Sequence, residues 1–270
     1  MAPGSPRRPR VAVVGHVEWV TFARVRALPA PGEIVRASDT WEEAGGGGGV
    51  AAVQLARLAG GCDFFTAAGD RAVARLRELG VTVHPADRPT RRAFTHTDDA
   101  GERTITILDP RVVPHGDDPL PWERLADCDA VYFTGGDAAA ARAARRARVM
   151  VATPRAHEAL TGIALDALVL SGSDVDEVTW AEGLDARWTV ATGGAEGGRW
   201  VGREEDGTWA AAPVPGPPVD AYGCGDTFAA ALTLALGYGR ALPDALAFAA
   251  RCGAACLTGR GPYGASLPAP

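Results

Sequence analysis

Val219-Asp220-Ala221-Tyr222-Gly223-Cys224-Gly225-Asp226-Thr227-Phe228 is the stretch on which the reading of this chain turns. Ala229–Leu236 follows it as an uninterrupted apolar helix former. The two glycines let the backbone turn tightly and approach a ligand. A helix starting here aims its unpaired N–H groups and positive dipole end into the same turn. A Gly-X-Gly turn entering a helix is therefore a natural anion hole. Asp226 stands at the predicted helix start, where an acid is also a good N-cap. The motif alone leaves both readings open, a catalytic carboxylate and a cap.

Outward from the motif, the pattern is an alternation. Short apolar runs at 130–134, 149–153, 167–171 and 189–192 are separated by helix-like or polar stretches such as 137–148 and 174–181. This βαβα order predicts a mostly parallel sheet with helices on both faces. Residues 199–210 read as a hairpin turning at Glu205-Asp206-Gly207. Toward the N-terminus, Val11–Val14 before Gly15 reads as a buried first strand. Residues 33–43 carry charge and partly alternate, as a half-exposed strand does. Five glycines, Gly45 to Gly49, lead into Val50, Val53, Leu55 and Leu58 among alanines, a predicted helix. Two more strands are predicted at 92–97 and 103–108, joined by the hairpin signal Asp98-Asp99-Ala100-Gly101. There is no long-period repeat, and the Pro-rich piece at 213–218 reads as a stiff loop.

Composition excludes several function classes. The chain has 270 residues, 47% of them apolar, enough to bury a large core. All 27 fixed cations are arginine, since no lysine is present. That removes a Walker A P-loop, a Schiff-base aldolase and a pyridoxal-phosphate enzyme. A net charge of −6 argues against a general nucleic-acid binder. No apolar run approaches the ~20 residues of a membrane helix. The first ten residues read as a frayed tail, not a signal peptide. Five scattered cysteines fit reduced thiols and predict a cytoplasmic protein. Cys252 and Cys256, four apart on a helical stretch, read as buried small side chains.

Asp220, Gly223, Gly225 and Asp226 match the Asp-Thr-X-Gly-Ala-Gly-Asp signature of the ribokinase-like (PfkB) carbohydrate kinases, which this chain resembles. Ala221 replaces the usual Thr and Cys224 the usual Ala. Pro29-Ala-Pro-Gly-Glu33 resembles the family's turn before its lid, and Gly45-Gly46 its N-terminal Gly-Gly signature. Ala67-Ala-Gly-Asp70 resembles its Gly-Asp loop, and Thr192-Gly193-Gly194-Ala195-Glu196-Gly197 its nucleotide loop. The resemblance runs from residue 11 to about 264. It implies one domain over 1–270, a three-layer αβα sandwich with a mostly parallel sheet. A small β-sheet lid is inserted near 33–43 and 92–108, often paired with a second lid in a homodimer.

It also implies ATP with Mg²⁺, Asp226 as the general base, and the backbone of Gly223, Cys224 and Gly225 around the transferring phosphoryl group. Thr192, Gly194 and Gly197 fall on the nucleotide side, with the adenine pocket near 251–264. Gly45, Gly46 and Asp226 fall on the substrate side. Phosphoryl transfer needs positioning and charge neutralisation above all, which backbone N–H groups and Mg²⁺ supply without a lysine.

Departures fall on the substrate side. By spacing, the family's sugar-binding Asp falls at Val20 and its Asn at Val50. Glu18 and His16, just upstream, are the polar groups placed to take over. Asp174, in Ser171-Gly-Ser-Asp174, stands where the resemblance implies a Mg²⁺-linked acid acting through water, and it is equally a helix N-cap. Valines at 20 and 50, with Trp19 nearby, keep a nucleoside acceptor open beside a sugar. They also keep open a non-catalytic binding protein of the same fold.

Overall fold

Each parallel strand buries both faces, so the helices that connect the strands must cover the sheet from two sides. The computed structural model describes residues 7–99 and 101–270. Residues 1–6 of the predicted tail and Ala100 of the predicted 98–101 turn lie outside the described residues.

Strand β1 (Val11–Val14) runs into β2 (Glu18–Arg24) and β3 (Asp39–Gly45), then helix α1 (Gly46–Ala59). Next come β4 (Asp63–Ala67), α2 (Asp70–Glu78), β5 (Thr82–Ala86), β6 (Arg91–Thr97) and β7 (Arg103–Ile107). The alternating half contributes β8 (Ala130–Phe133), α3 (Ala138–Ala144), β9 (Val149–Ala152), α4 (His157–Leu160), β10 (Leu165–Ser171), α5 (Val175–Ala181) and β11 (Ala186–Thr192). The hairpin β12 (Gly198–Gly202) and β13 (Asp206–Trp209) precedes α6 (Cys224–Gly237) and α7 (Leu242–Cys256).

Nine strands form the large sheet in the order β13-β12-β11-β10-β9-β8-β1-β4-β5. The seven from β11 to β5 are parallel, and the hairpin adds two antiparallel strands at one edge. Val11 and Val13 face a core shared with α1, α2, α6 and α7. Ala12 and Val14 face a second core with α3, α4 and the turn at Trp122–Asp127. The three-layer αβα sandwich is thus as predicted. Cys252 and Cys256 are fully buried in α7.

A second sheet of four strands, β3-β2-β6-β7, stands apart from the first. The sequence reading put about three strands there, at 33–43 and 92–108. Two corrections follow. Strand β2 belongs to this sheet, pairing antiparallel with β3 and parallel with β6. Residues 33–38 are not strand: Gly32, at φ 86, turns the chain, and pairing starts only at Asp39. Strands β4 and β5 of the large sheet were not read from the sequence either. β5 carries Pro85, which an edge strand tolerates because it needs no donor on its outer side.

The glycine run lets α1 press against the connection between β1 and β2. The Gly49 N–H donates to the His16 carbonyl at 3.2 Å. A Cβ on Gly48 would stand 2.5 Å from the His16 carbonyl oxygen and 3.0 Å from its nitrogen. Alanine favours a helix over glycine by about 1 kcal/mol. Here backbone, not a flexible side chain, blocks the methyl. Gly48→Ala is therefore expected to destabilise, by about 1–3 kcal/mol, as overpacking does. Chemical denaturation checks this, and a stabilised variant would show that α1 is not seated as described.

Candidate active site

Strand order reverses between β1 and β8: the chain winds through β4 and β5 on one side and through β9, β10 and β11 on the other. Open α/β sheets bind ligands at the carboxyl ends of strands at such a point. A cleft of about 960 Å³ opens there, beneath β6 and β7 of the small sheet.

The motif read first forms its floor. Asp220 is buried and accepts hydrogen bonds from the Tyr222 N–H at 2.9 Å and the Gly261 N–H at 3.1 Å. That ties the turn to the 3-10 turn at Gly261–Tyr263. Gly223, in the left-handed region at φ 83, is the N-cap of α6 and gives it no side-chain cap. Asp226 lies inside the first turn, so the capping reading falls away. A Cβ on Gly223 would meet Val50 and Pro262 at 3.0–3.1 Å, whereas one on Gly225 would meet nothing within 4 Å. Gly225 is exposed on the cleft wall beside Asp226. Cys224 does not line the cleft, and Cys256 beside it together with burial pushes its thiol pKa up.

Loss of hydration pushes the Asp226 carboxyl up to about 6, with Arg103 opposing and the charges of Glu177 and Glu18 reinforcing the shift. At neutral pH the group is a carboxylate with basicity well above an ordinary aspartate.

Across the floor, α1 begins with Gly46 and Gly47 on the cleft, while Gly45 sits behind them against Tyr222 and Val20. A Cβ on Gly47 would lie 3.0 Å from Asp226 Oδ1 and 3.7 Å from His16 Cε1, so only glycine leaves this passage open. His16 and Glu18 both reach the cleft, with His16 Nε2 3.8 Å from Glu18 Oε1. Arg91 Nη1 lies 3.3 Å from the same oxygen. Burial raises the Glu18 pKa against Arg91 and Arg111, and burial together with Arg111, Arg91 and Arg155 pushes that of His16 well below its usual value.

Val20 and Val50 do not line the cleft, contrary to the expectation that they replace substrate contacts. Both are fully buried with Phe22, Ala93 and Tyr222. The Tyr222 ring fills that space, edge-on to Phe22, and its hydroxyl accepts the Gly46 N–H at 3.1 Å. Trp19 also lies off the cleft, beneath the Arg71 guanidinium.

On the other flank, Asp174 caps α5, accepting from the backbone N–H groups of Asp176 and Glu177 at 3.1 Å. Its other oxygen takes Arg155 Nη2 at 2.5 Å. Glu177, which the sequence reading missed, is buried and accepts from Arg155 Nε and the Ser171 N–H. Thr192 ends β11 on the cleft, opposite Ser171 in register. Gly194 and Gly197 stand off the cleft wall. Gly197, at φ 84, packs so closely on Trp209 that a Cβ would strike its carbonyl. Arg260 pairs with Asp39 and lies over Trp41, fastening β3 to the turn at 261–263. The arginines at 91, 103, 111 and 155 were also missed. In a chain whose only fixed cation is arginine, no spacing marks a functional one.

A switch point in the sheet, a glycine turn entering a helix and a carboxylate beside it together form a candidate site for an anionic ligand. The profile of the pfkB family carbohydrate kinases matches residues 8–166 and 142–270. The chain belongs to that family and is a ribokinase-like sugar-kinase phosphotransferase. Among solved structures, ribokinase from Thermotoga maritima superposes with a TM-score of 0.72 at 21% identity, covering 97% of this chain and 96% of that one. Arabidopsis thaliana ribokinase, complexed with ribose and ATP, gives 0.70 at 22% identity, covering 94% of each chain. Adenosine kinase from Sinorhizobium meliloti gives 0.74 at 19% identity, covering 97% and 96%. No curated protein sequence matches this chain. No helix among the described residues is long and apolar enough to cross a membrane.

The Asp226 environment predicts its titration. A carboxyl ¹³C NMR titration is expected to give an apparent pKa near 6 for Asp226. Arg103 lowers that value, so Arg103→Gln is expected to move it higher still. A midpoint near 4, or no response to Arg103→Gln, contradicts the described surroundings.

Proposed function

We propose that this chain transfers the γ-phosphoryl group of ATP to a hydroxyl of a sugar or sugar-like acceptor. One observation carries the reading: a half-buried carboxylate, Asp226, stands beside the N-terminal backbone of α6 where Gly225 leaves the approach open. In the reaction the acceptor oxygen bonds to the γ-phosphorus as the bond to the ADP oxygen breaks. The acceptor proton passes to Asp226, whose raised basicity suits it to that task at neutral pH. The N–H groups of the Gly223–Asp226 turn face the charge on the transferring group.

His16, Glu18 and the glycine floor at Gly46 and Gly47 hold the acceptor. Thr192 and the loop after it, with Gly194 and Gly197 shaping its turns, serve the nucleotide, as the family resemblance implies. The Arabidopsis ribokinase that shares this fold is complexed with ribose and ATP, which supports a sugar acceptor and an ATP donor. Mg²⁺ supplies neutralisation of the phosphate charge when bound. Both oxygens of Asp174 are already engaged, so Asp174 fits the ion only through its water shell. The apolar residues that suited a nucleoside base, Val20, Val50 and Trp19, lie off the cleft, whereas His16, Glu18, Arg91 and Arg111 line it and offer hydrogen bonds to sugar hydroxyls.

The small sheet acts as a lid over this site, an insertion in a single domain over 1–270. Ile105 and Ile107, half exposed, line the cleft from β7. Closure would cover them and exclude water from the γ-phosphate. Ile34, fully exposed before β3, supports pairing of two chains through the lid, which sedimentation at micromolar concentration reads. The five cysteines, none in a disulfide among the described residues, support a cytoplasmic setting.

Two substitutions test the chemistry. Asp226→Asn keeps the shape and is expected to leave folding and ATP binding near wild type while turnover falls roughly 10²-fold or more. Gly225→Val points its side chain into open cleft and is expected to cut turnover far more than thermal stability. Wild-type turnover in Asp226→Asn removes the base assignment. Collapse of stability with normal specific activity in Gly225→Val makes the glycine structural only.

A further inference from the structure

Four guanidinium groups line the cleft, Arg91 on β6, Arg103 on β7, Arg111 beyond β7, and Arg155 beyond β9, against the four carboxylates of Glu18, Asp174, Glu177 and Asp226, but the two signs are not evenly matched along it. Arg155 is neutralised by Asp174 and Glu177. Arg91 faces Glu18, yet its Nε is buried and has no partner. Arg111 has no carboxylate within 4 Å among the described residues. It donates to the carbonyls of Arg155 and Thr134 at 2.5 Å and lies 3.4 Å from His16 Nδ1. The Thr134 hydroxyl on the same wall is buried without a partner.

These groups repel one another. The Arg111 pKa is lowered by crowding and by the charges of Arg91 and Arg155. The nearby imidazole is held neutral, so it neither adds to nor offsets that charge. That leaves Arg91, Arg103 and Arg111 facing Glu18 and Asp226, one cation in excess on the wall of an open cleft, which suits an anion. The passage over Gly47 joins this cluster to Asp226, so a single acceptor spans both.

We propose, resting on the kinase reading above, that the acceptor is a polyhydroxylated compound bearing one anionic group, a carboxylate or a phosphate monoester. Arg91 and Arg111 seat that group while a hydroxyl faces Asp226. Guanidinium forks suit both anions.

The test measures ADP formation and thermal stabilisation with three groups of acceptors: sugar acids, sugar monophosphates, and their neutral parents including nucleosides. Turnover is expected with charged acceptors and not with their neutral parents. The responding arm tells carboxylate from phosphate. In Arg111→Met the KM for the charged acceptor is expected to rise about 10- to 100-fold, the scale of a lost charge-assisted hydrogen bond. The KM for ATP is expected to stay within about threefold. Arg91→Lys keeps a cation near Glu18 but lacks the planar fork that matches a carboxylate or phosphate. It is expected to raise the same KM without lowering the melting temperature, which separates binding from folding.

A neutral acceptor used with higher kcat/KM than every charged one overturns the proposal. So does a rise in the KM for ATP in place of that for the acceptor, which would give these cations to the nucleotide phosphates. Asp226→Asn separates the two readings. Asp226-dependent phosphorylation of a neutral acceptor overturns this inference and leaves the kinase. Arg111-dependent binding of a charged acceptor that Asp226→Asn still phosphorylates at the wild-type rate overturns the base assignment and leaves the inference.

Discussion

Two helices open on glycine and aim their N-termini at one passage, and the rest of the site is arranged around that meeting. A Cβ on Gly47 at the start of α1 would lie 3.0 Å from Asp226 Oδ1 on α6, so a larger residue there crowds the carboxylate. Each helix brings its N-terminal N–H groups and the positive end of its dipole. Each is also anchored from behind. Gly48 and Gly49 seat α1 against His16 and Val17, and Asp220 ties the α6 turn to Gly261. The sheet supplies the remaining constraint, since its order reverses between β1 and β8, where both helices start.

The electrostatics follow from this geometry. A positive passage tolerates a carboxylate, but the surrounding protein strips its water, and the balance leaves Asp226 a stronger base than a surface aspartate. Glu18, Glu177 and Asp174 ring the cleft with further acid, and four arginines answer them. Arg155 is spent on Asp174 and Glu177 and Arg91 faces Glu18, while Arg111 has no carboxylate within 4 Å among the described residues. The excess lies toward His16, away from the β10 and β11 ends of the cleft. A lysine-free chain thus places charge with rigid guanidinium forks, whose geometry favours planar anions.

The parallel sheet was legible because βαβα alternation needs only local pattern, and β8 to β11 lie where short apolar runs predicted them. The α6 turn was legible because glycine spacing and an apolar run are both local signals. The lid was half legible. β2 follows β1 after three residues and mixes Glu18, Thr21 and Arg24 with apolar residues, so nothing local assigns it to a second sheet. Residues 33–38 look like strand, but Gly32 turns the chain and the partner strand ends at Arg24, so no pairing reaches them.

In the site, His16, Glu18, Gly46, Gly225 and Asp226 were found from motif and spacing, and the structure gathers them on one cleft. Val20 and Val50 were misread as substrate positions because spacing cannot show that the Tyr222 ring fills the gap before them. Arg91, Arg103, Arg111 and Glu177 come from four separate elements and meet only in the folded chain.

The central claim is direct transfer of a phosphoryl group between two molecules held in one cleft, and ³¹P NMR of the reacting mixture addresses it most directly. With ATP, Mg²⁺ and a competent acceptor, the account predicts that ADP and a phosphomonoester of the acceptor grow together in equal amounts. Inorganic phosphate should stay flat, since the closed cleft keeps water from the γ-phosphorus. Growth of inorganic phosphate in step with ADP, with no phosphomonoester signal, would contradict it.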